Sequence, residues 1–396
     1  MLLRLVLSII VNNERFSSLI GDRNVSLIGI IEGIRTFAAF LPIPVFSIYA
    51  LRFTSSGLLA GLAMGVYGIA MIFSQIMMGS LSDIIGRKRV SMVSSVLFSL
   101  GNLISWHPFS IQILVFSRLL AGLGAISSPL MALLNERSDM DERTSRMAFV
   151  GTLSGLGIVI GVIAGPEIST YIGIDTIFLF SAILGFISLL PILMLAEDRV
   201  TVRRRLKIKW DPSFTFSSFV SSFILFAIFF FLPIYWMSRS QILPYGSFIA
   251  ISLVAAGSIG ILISIKFGML SRITAITLTL FAVSSLAMFY FSEYPYAVMS
   301  GFFIFAIGYT IFEISFIPLL IKEHGGDYGS LIGFFNGGRY AGEFAGSLTM
   351  GALIKNPIDL HGLHLLFLAI VFMITLSILL LKIRFSKYGN VFNIHN

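Results

Sequence analysis

"GSLSDIIGRKRV", residues Gly79 to Val90, decides how the rest of the chain is read. Long uncharged runs flank it, yet its twelve residues hold one aspartate, two glycines and three consecutive cations. A charged link this short between two apolar runs reads as a turn at a membrane surface, with one helix arriving and the next departing.

The composition agrees. Of 396 residues, 57% are hydrophobic and 12% charged, with a mean hydropathy of +0.95. Soluble domains carry about 25% charged residues. Apolar stretches of about 20 residues, each long enough for a spanning helix, recur along the chain. Barrel strands would alternate over segments of about ten residues instead. The fold class is therefore an all-α integral membrane protein. The net charge of +8 belongs to connectors rather than to a nucleic-acid surface, because cytoplasmic loops collect lysine and arginine. The lack of cysteine excludes disulfides, thiolate metal sites and cysteine nucleophiles. The first eleven residues, "MLLRLVLSIIV", are too short to span and lack a cleavage pattern, so they predict an interfacial helix or a frayed end rather than a signal peptide.

Twelve transmembrane helices are predicted, at 27–51, 57–80, 89–107, 110–134, 147–172, 174–196, 213–237, 245–268, 273–291, 295–321, 328–353 and 362–383. Connectors on the side that holds both termini carry 21 of the 27 lysines and arginines. The opposite side has Arg52, Arg239 and Lys355, and the spans hold Arg35, Arg118 and Arg339. This asymmetry predicts that both termini are cytoplasmic. The expected organisation is a six-helix bundle over 1–196, a basic cytoplasmic linker over 197–212 that contacts anionic lipid, and a second six-helix bundle over 213–396.

The halves look duplicated. "FLPI" occurs at Phe40–Ile43 and Phe231–Ile234, an offset of 191. "GSLS" at Gly79 faces "GMLS" at Gly268, and "PLMALL" at Pro129 faces "PLLI" at Pro318, both offset by 189. Two pseudosymmetric bundles of this kind form a transporter architecture, with a substrate site between repeats.

Gly79, Asp83, Gly86, Arg87 and Lys88 resemble the G-x3-D-[RK]-x-G-[RK]-[RK] signature of the major facilitator superfamily, with Ile84 where that family usually has a cation. "RLLAGLGA" from Arg118 resembles its helix 4 signature. "GIVIGVIAGP" from Gly157 resembles the helix 5 signature of its drug/proton antiporters, although "GPEIS" replaces the expected downstream glycines. The resemblance implies secondary transport by alternating access, with a cavity lined by helices 1, 4, 7 and 10. It implies a cytoplasmic latch in which Asp83 meets the start of span 11 near Gly329 and Ser330, while Arg87 meets Glu136 or Asp139. A carboxylate at a helix N-terminus is favoured by the dipole.

Glycines recur every fourth residue at Gly57, Gly61 and Gly65, at Gly157, Gly161 and Gly165, and at Gly338, Gly342 and Gly346, which permits close backbone approach. By resemblance, helices 2, 5, 8 and 11 meet where the halves slide, and Gly157, Gly161, Gly165 and Pro166 form a helix-packing hinge. Charges inside spans are the sharper functional pointers, because each costs at least about 2.5–3.5 kcal/mol in lipid. Glu32, Arg35, Arg118, Glu313, Arg339 and Glu343 are the candidate residues of the substrate and proton cavity, and Glu167 follows the Gly165-Pro166 break. A motion that changes the distance between Glu32 and Arg118, or between Glu313 and an arginine, moves a proton. Glu32–Arg35 and Arg339–Glu343 can instead be permanent in-helix pairs. Arg118, with no partner in its own span, can anchor an anion.

Phe37, Phe40 and Phe46 in span 1 and Phe223, Phe226, Phe229, Phe230, Phe231, Tyr235 and Trp236 in span 7 imply an apolar, aromatic cavity. No Walker pattern, H-E-x-x-H or G-x-S-x-G occurs, so the chain is read as no enzyme, with no cofactor and no metal. His361 and His364 read as residues of a solvated loop. The expected function is proton-coupled export of hydrophobic or amphipathic compounds. Proton-coupled uptake of an organic anion and a non-transporting sensor on the same fold are the alternatives. The expected setting is a prokaryotic plasma membrane, with a monomer acting on a small molecule and protons.

Overall fold

The computed structural model of the chain describes residues 22–138, 140–196, 210–238, 244–266, 270–324, 329–354 and 360–388. The readings placed on the first eleven residues, on Asp139, on most of the basic linker and on Gly268 lie outside the described residues. All regular structure among the described residues is helical. Nine segments there are long and apolar enough to cross a membrane, and Thr274–Tyr290 is a shorter apolar helix.

The first of two units comprises Met1–Phe53 and Ile69–Arg203. It contains α1 (Arg23–Phe40), α2 (Phe46–Ala50), the later part of α3 (Gly57–Ile85), α4 (Arg87–Trp106), α5 (Ile111–Leu123), α6 (Ser127–Glu136), α7 (Met140–Ile172), α8 (Thr176–Ile187) and α9 (Leu189–Met194). The second comprises Thr54–Gly68 and Arg204–Asn396. It contains the first turns of α3, α10 (Pro212–Met237), α11 (Tyr245–Lys266), α12 (Leu270–Ser285) with its π-helical continuation Leu286–Tyr290, α13 (Pro295–His324), α14 (Gly329–Leu353) and α15 (Leu360–Tyr388).

Asp22 caps α1 by accepting from the Asn24 N–H at 3.0 Å, and Asp211 caps α10 by accepting from the Ser213 N–H at 3.0 Å. A carboxylate there satisfies N–H groups that the helix leaves open. The two caps stand at the repeat offset of 189 residues, an echo that the sequence patterns did not disclose.

Two helices predicted as spans, α4 and α14, are not among the nine apolar segments. In α4 the reason is an inverted face. Ser91, Ser94, Ser95, Ser99, Asn102 and Ser105 are buried, while Val93, Leu100 and Leu103 are exposed. Small hydroxyl side chains let helices close on one another and bond across the contact. Ser95 Oγ lies 3.0 Å from Ser188 Oγ on the α8–α9 corner, and Ser105 Oγ lies 2.7 Å from Ser117 Oγ on α5. The exposed surface is correspondingly apolar, with Phe73, Ile76, Ile84, Leu262 and Phe372 facing out, as a lipid-facing surface requires.

The glycine stripes pack inside the units. Gly157, Gly161 and Gly165 of α7 lie against the carbonyls of Gly33, Phe37 and Leu41 at successive turns along α1. In the second unit Gly338, Gly342 and Gly346 of α14 lie the same way against Thr215, Phe219 and Phe223 of α10. Gly57, Gly61 and Gly65 meet Gly351, Ser347 and Phe344 of α14. The resemblance paired helices 2, 5, 8 and 11 with one another; α3 and α14, the second and eleventh predicted spans, do meet, whereas the stripe of α7 faces α1 and the Gly338–Gly346 stripe of α14 faces α10. Spacing selects the face of a helix and leaves the partner to the fold. Pro166 sits within α7, and its carbonyl accepts from Ser169 Oγ at 2.7 Å and Thr170 Oγ1 at 2.9 Å.

The aromatic run of α10 is interior packing of the second unit. Phe226, Phe229, Phe230, Phe231 and Tyr235 are buried, Phe231 meets Phe289 at 5.8 Å, and Trp236 stacks on Phe248 at 4.6 Å.

A methyl group separates tight glycines from open ones. Gly165→Ala drives its Cβ into the Leu41 carbonyl, while nothing lies within 4 Å of a Cβ at Gly155. Gly165→Ala is expected to lose about 1–3 kcal/mol of stability and Gly155→Ala little, as read by thermal unfolding in detergent.

Candidate functional site

Three groups of charges stand out. The first closes the end of the first unit around Arg87. Gly86 has φ 103°, a backbone conformation that a side chain disfavours, and it turns α3 into α4. Arg87 follows at once and gathers the link into one knot. Its Nη2 donates to Glu136 Oε1 at 2.8 Å and its Nη1 pairs with Asp83 Oδ1 at 2.5 Å. Nη1 also donates to the Gly79 carbonyl at 3.3 Å and to Ser82 Oγ. Sequence named Glu136 or Asp139 as its partner, and Glu136 at the end of α6 takes that place. Gly79 leaves room for Ser128, whose Oγ lies 2.6 Å from where a Cβ would stand. Lys88 is aimed elsewhere. Its Nζ donates to the carbonyls of Leu193 at 2.8 Å and Leu195 at 2.9 Å, at the C-terminal end of α9, where a cation is favoured.

The second group is buried in the first unit. Glu32 and Arg35 share a face of α1, and each turns to the fourth predicted span. Ser127 Oγ donates to Glu32 Oε2 at 3.1 Å, and Glu32 Oε1 is buried with no hydrogen-bond partner. Arg35 Nη2 donates to the Gly124 carbonyl at 2.8 Å, with the guanidinium 3.5 Å from the centre of the Phe98 ring. Arg118 on α5 donates from Nη1 to Asn102 Oδ1 at 3.3 Å, and its guanidinium lies 5.3 Å from the Phe46 ring centre.

The third group belongs to the second unit. Arg339 Nη2 on α14 donates to Glu313 Oε1 of α13 at 2.8 Å and to the Tyr309 hydroxyl at 3.2 Å. Tyr309 precedes Glu313 by one turn on α13. The ion pair of Arg339 thus crosses between helices to Glu313, where the spacing had allowed an in-helix pair with Glu343. Glu343 is buried, with its side-chain carbons 3.1 Å from where a Cβ on Gly68 would stand. The Arg339–Glu313 pair remains partly accessible, with side-chain exposures of 22% and 30%, whereas Glu32 is 3% exposed.

Among the described residues no three of His, Asp and Glu converge as metal ligands. Sequence reasoning missed Ser74, Asn102, Ser127 and Tyr309. None carries a charge, so none stood out in an apolar run. The signal for Ser127 was present in "GLGAISSP", where two glycines and a proline interrupt span 4.

The family profile of the Major Facilitator Superfamily matches residues 28–347. The inner membrane transport protein YajR of Escherichia coli is 34% identical over 159 residues, covering 40% of this chain and 35% of that one. Multidrug resistance protein 2 of Bacillus subtilis is 26% identical over 175 residues, covering 43% of this chain and 44% of that one. The chain thus matches less than half the length of these curated relatives. The crystal structure of the human organic anion transporter MFSD10 has the same fold, with TM-score 0.67, 14% identity, and coverage of 91% of this chain and 99% of that one.

Arg87→Lys tests the first knot. A lysine keeps the charge but cannot fork to Asp83, Glu136 and a carbonyl together. The expected loss is about 1–3 kcal/mol in detergent unfolding, with a smaller loss for Glu136→Gln because that carboxylate is a third exposed.

Proposed function

The chain belongs to the Major Facilitator Superfamily, and from that membership we propose that it is a secondary active transporter exporting hydrophobic or amphipathic compounds in exchange for protons. The observation that carries the reading is the Arg339–Glu313 ion pair at 2.8 Å, which crosses between two helices of the second unit and remains partly accessible. A carboxylate drawn away from its guanidinium in a poorly solvated place takes a proton, and gives it up on return. Tyr309, which accepts from Arg339 one turn before Glu313, stays beside the two side chains while they part and rejoin. Glu32 is the second carboxylate with this capacity, since one of its oxygens is free to carry a proton.

Export is supported by the name of the Bacillus subtilis relative, a multidrug resistance protein. The arrangement proposed is twelve crossings with both termini cytoplasmic, supported by the 21 cations on that side. The proposed setting is a bacterial plasma membrane, where the Escherichia coli relative resides by name, with the protein acting as a monomer.

Glu313→Gln, Glu32→Gln and Glu343→Gln, made singly, test the coupling in proteoliposomes under an imposed pH gradient. With a lipophilic cation as cargo, Glu313→Gln is expected to lower gradient-driven flux by about tenfold or more, the worth of one charged hydrogen bond, and to remove its pH dependence. Full pH dependence in all three variants overturns proton coupling at these sites.

A further inference from the structure

The fourth predicted span is not one helix. α5 ends at Leu123, α6 begins at Ser127, and Gly124, Ala125 and Ile126 between them are not helical. Pro129 supplies a cause, because it has no N–H for the Ala125 carbonyl and its ring crowds that carbonyl. The matching proline of the second half, Pro318, lies within α13, which runs unbroken from Pro295 to His324. The break is therefore a feature of the first unit that Pro129 permits without dictating.

Interrupted backbone at membrane depth has to find partners outside its own helix. Here they come from two other helices, α1 and α3. Ser74 Oγ of α3 donates to the Leu123 carbonyl at 2.5 Å and accepts from the Ala125 N–H at 3.2 Å, so one hydroxyl bridges both sides of the break. Arg35 of α1 holds the Gly124 carbonyl, and Glu32 of α1 accepts from Ser127, the first residue of α6. A cation sits at the C-terminal end of α5 and an anion at the N-terminal end of α6, the polarity that the two helix dipoles favour. On the remaining side α4 presses close, and a Cβ on Gly124 would lie 2.5 Å from the Ser94 carbonyl. The two arms carry different charges. α5 bears Arg118, and α6 ends in Glu136, which Arg87 holds.

We propose that Gly124–Ile126 is a hinge in the fourth span, spliced by Ser74 as its positioning residue and caught by Glu32 through Ser127, across which α6 with Glu136 swings relative to α5 with Arg118. An unbroken helix is held by its own backbone, whereas these bonds come from side chains of α1 and α3 and change when those helices shift. Loss of the Glu32–Ser127 bond frees the start of α6 while Ser74 still holds the end of α5. The consequence for flux rests on the transport reading above; the hinge itself does not.

The chain has no cysteine, so spin labels at Phe116→Cys on α5 and Asn135→Cys on α6 need no background removal. They lie about 28 Å apart along the helical path, within range of pulsed electron–electron resonance. In lipid nanodiscs the doubly labelled protein is expected to show two distances. Ser74→Ala is expected to shift their balance about tenfold, as one lost buried hydrogen bond does. Pro129→Ala, which restores the missing N–H, is expected to leave a single longer distance and to abolish proton-driven flux. A single narrow distance unchanged by Ser74→Ala overturns the hinge, whereas Pro129→Ala with one distance and full flux overturns only its part in transport. Should Pro129→Ala fail to fold, Ser74→Ala alone decides, since it removes only a hydroxyl. Two distances in a protein that moves no cargo support the hinge and overturn the transport reading instead.

Discussion

A backbone in hydrocarbon has no water to complete its hydrogen bonds, so every N–H and C=O has to be met from within the protein. The rest of this structure follows from that demand. The described chain is helical, its outward faces are apolar, and its polar side chains turn inward to bond other helices. Ser181 reaches the Ala38 carbonyl at 2.6 Å in the first unit, and Ser218 reaches the Phe335 carbonyl at 2.6 Å in the second. Where the helix lapses, at Gly124–Ile126, three side chains from two helices take over its bonds. Glycine stripes serve the same end, bringing backbones so close that a side chain on the approaching face has no room.

Charge is governed more strictly still. Each ionised group in the interior needs either a partner or a reason to change state. The two units meet this differently. In the first, Glu32, Arg35 and Arg118 are buried and make bonds with hydroxyl, amide and carbonyl groups around a broken helix. In the second, Arg339 and Glu313 form an ion pair across two helices with a tyrosine at its side. The duplicated sequence pattern thus carries unlike chemistry, with charges held by neutral groups in one half and an ion pair in the other.

What could be read from sequence alone divides along a physical line. Patterns inside one helix were legible. The hydropathy runs placed the helices, while the pairing of Arg87 with a carboxylate at the end of span 4, where Glu136 stands, came from the family resemblance. Relations between helices were not. Arg339 and Glu343 share a helix face four residues apart, yet the carboxylate 2.8 Å from Arg339 is Glu313, twenty-six positions earlier. The stripe at Gly157, Gly161 and Gly165 announced a close approach, and only the fold could name α1 as its partner. The inverted face of α4 shows why serines were underrated. In a membrane protein the inside can be the more polar side, and polar residues buried there leave no charge signal to follow.

The central claim is that a proton is exchanged for cargo through carboxylates held by arginines within the bundle. The most direct measurement uses the unmodified protein in sealed liposomes with a pH-sensitive dye trapped inside and no imposed pH gradient. Adding a lipophilic cation to one side is then expected to move protons toward that side as cargo leaves it, and the effect is expected to vanish in empty liposomes. Cargo movement at the same rate with no change in the trapped dye would contradict the account.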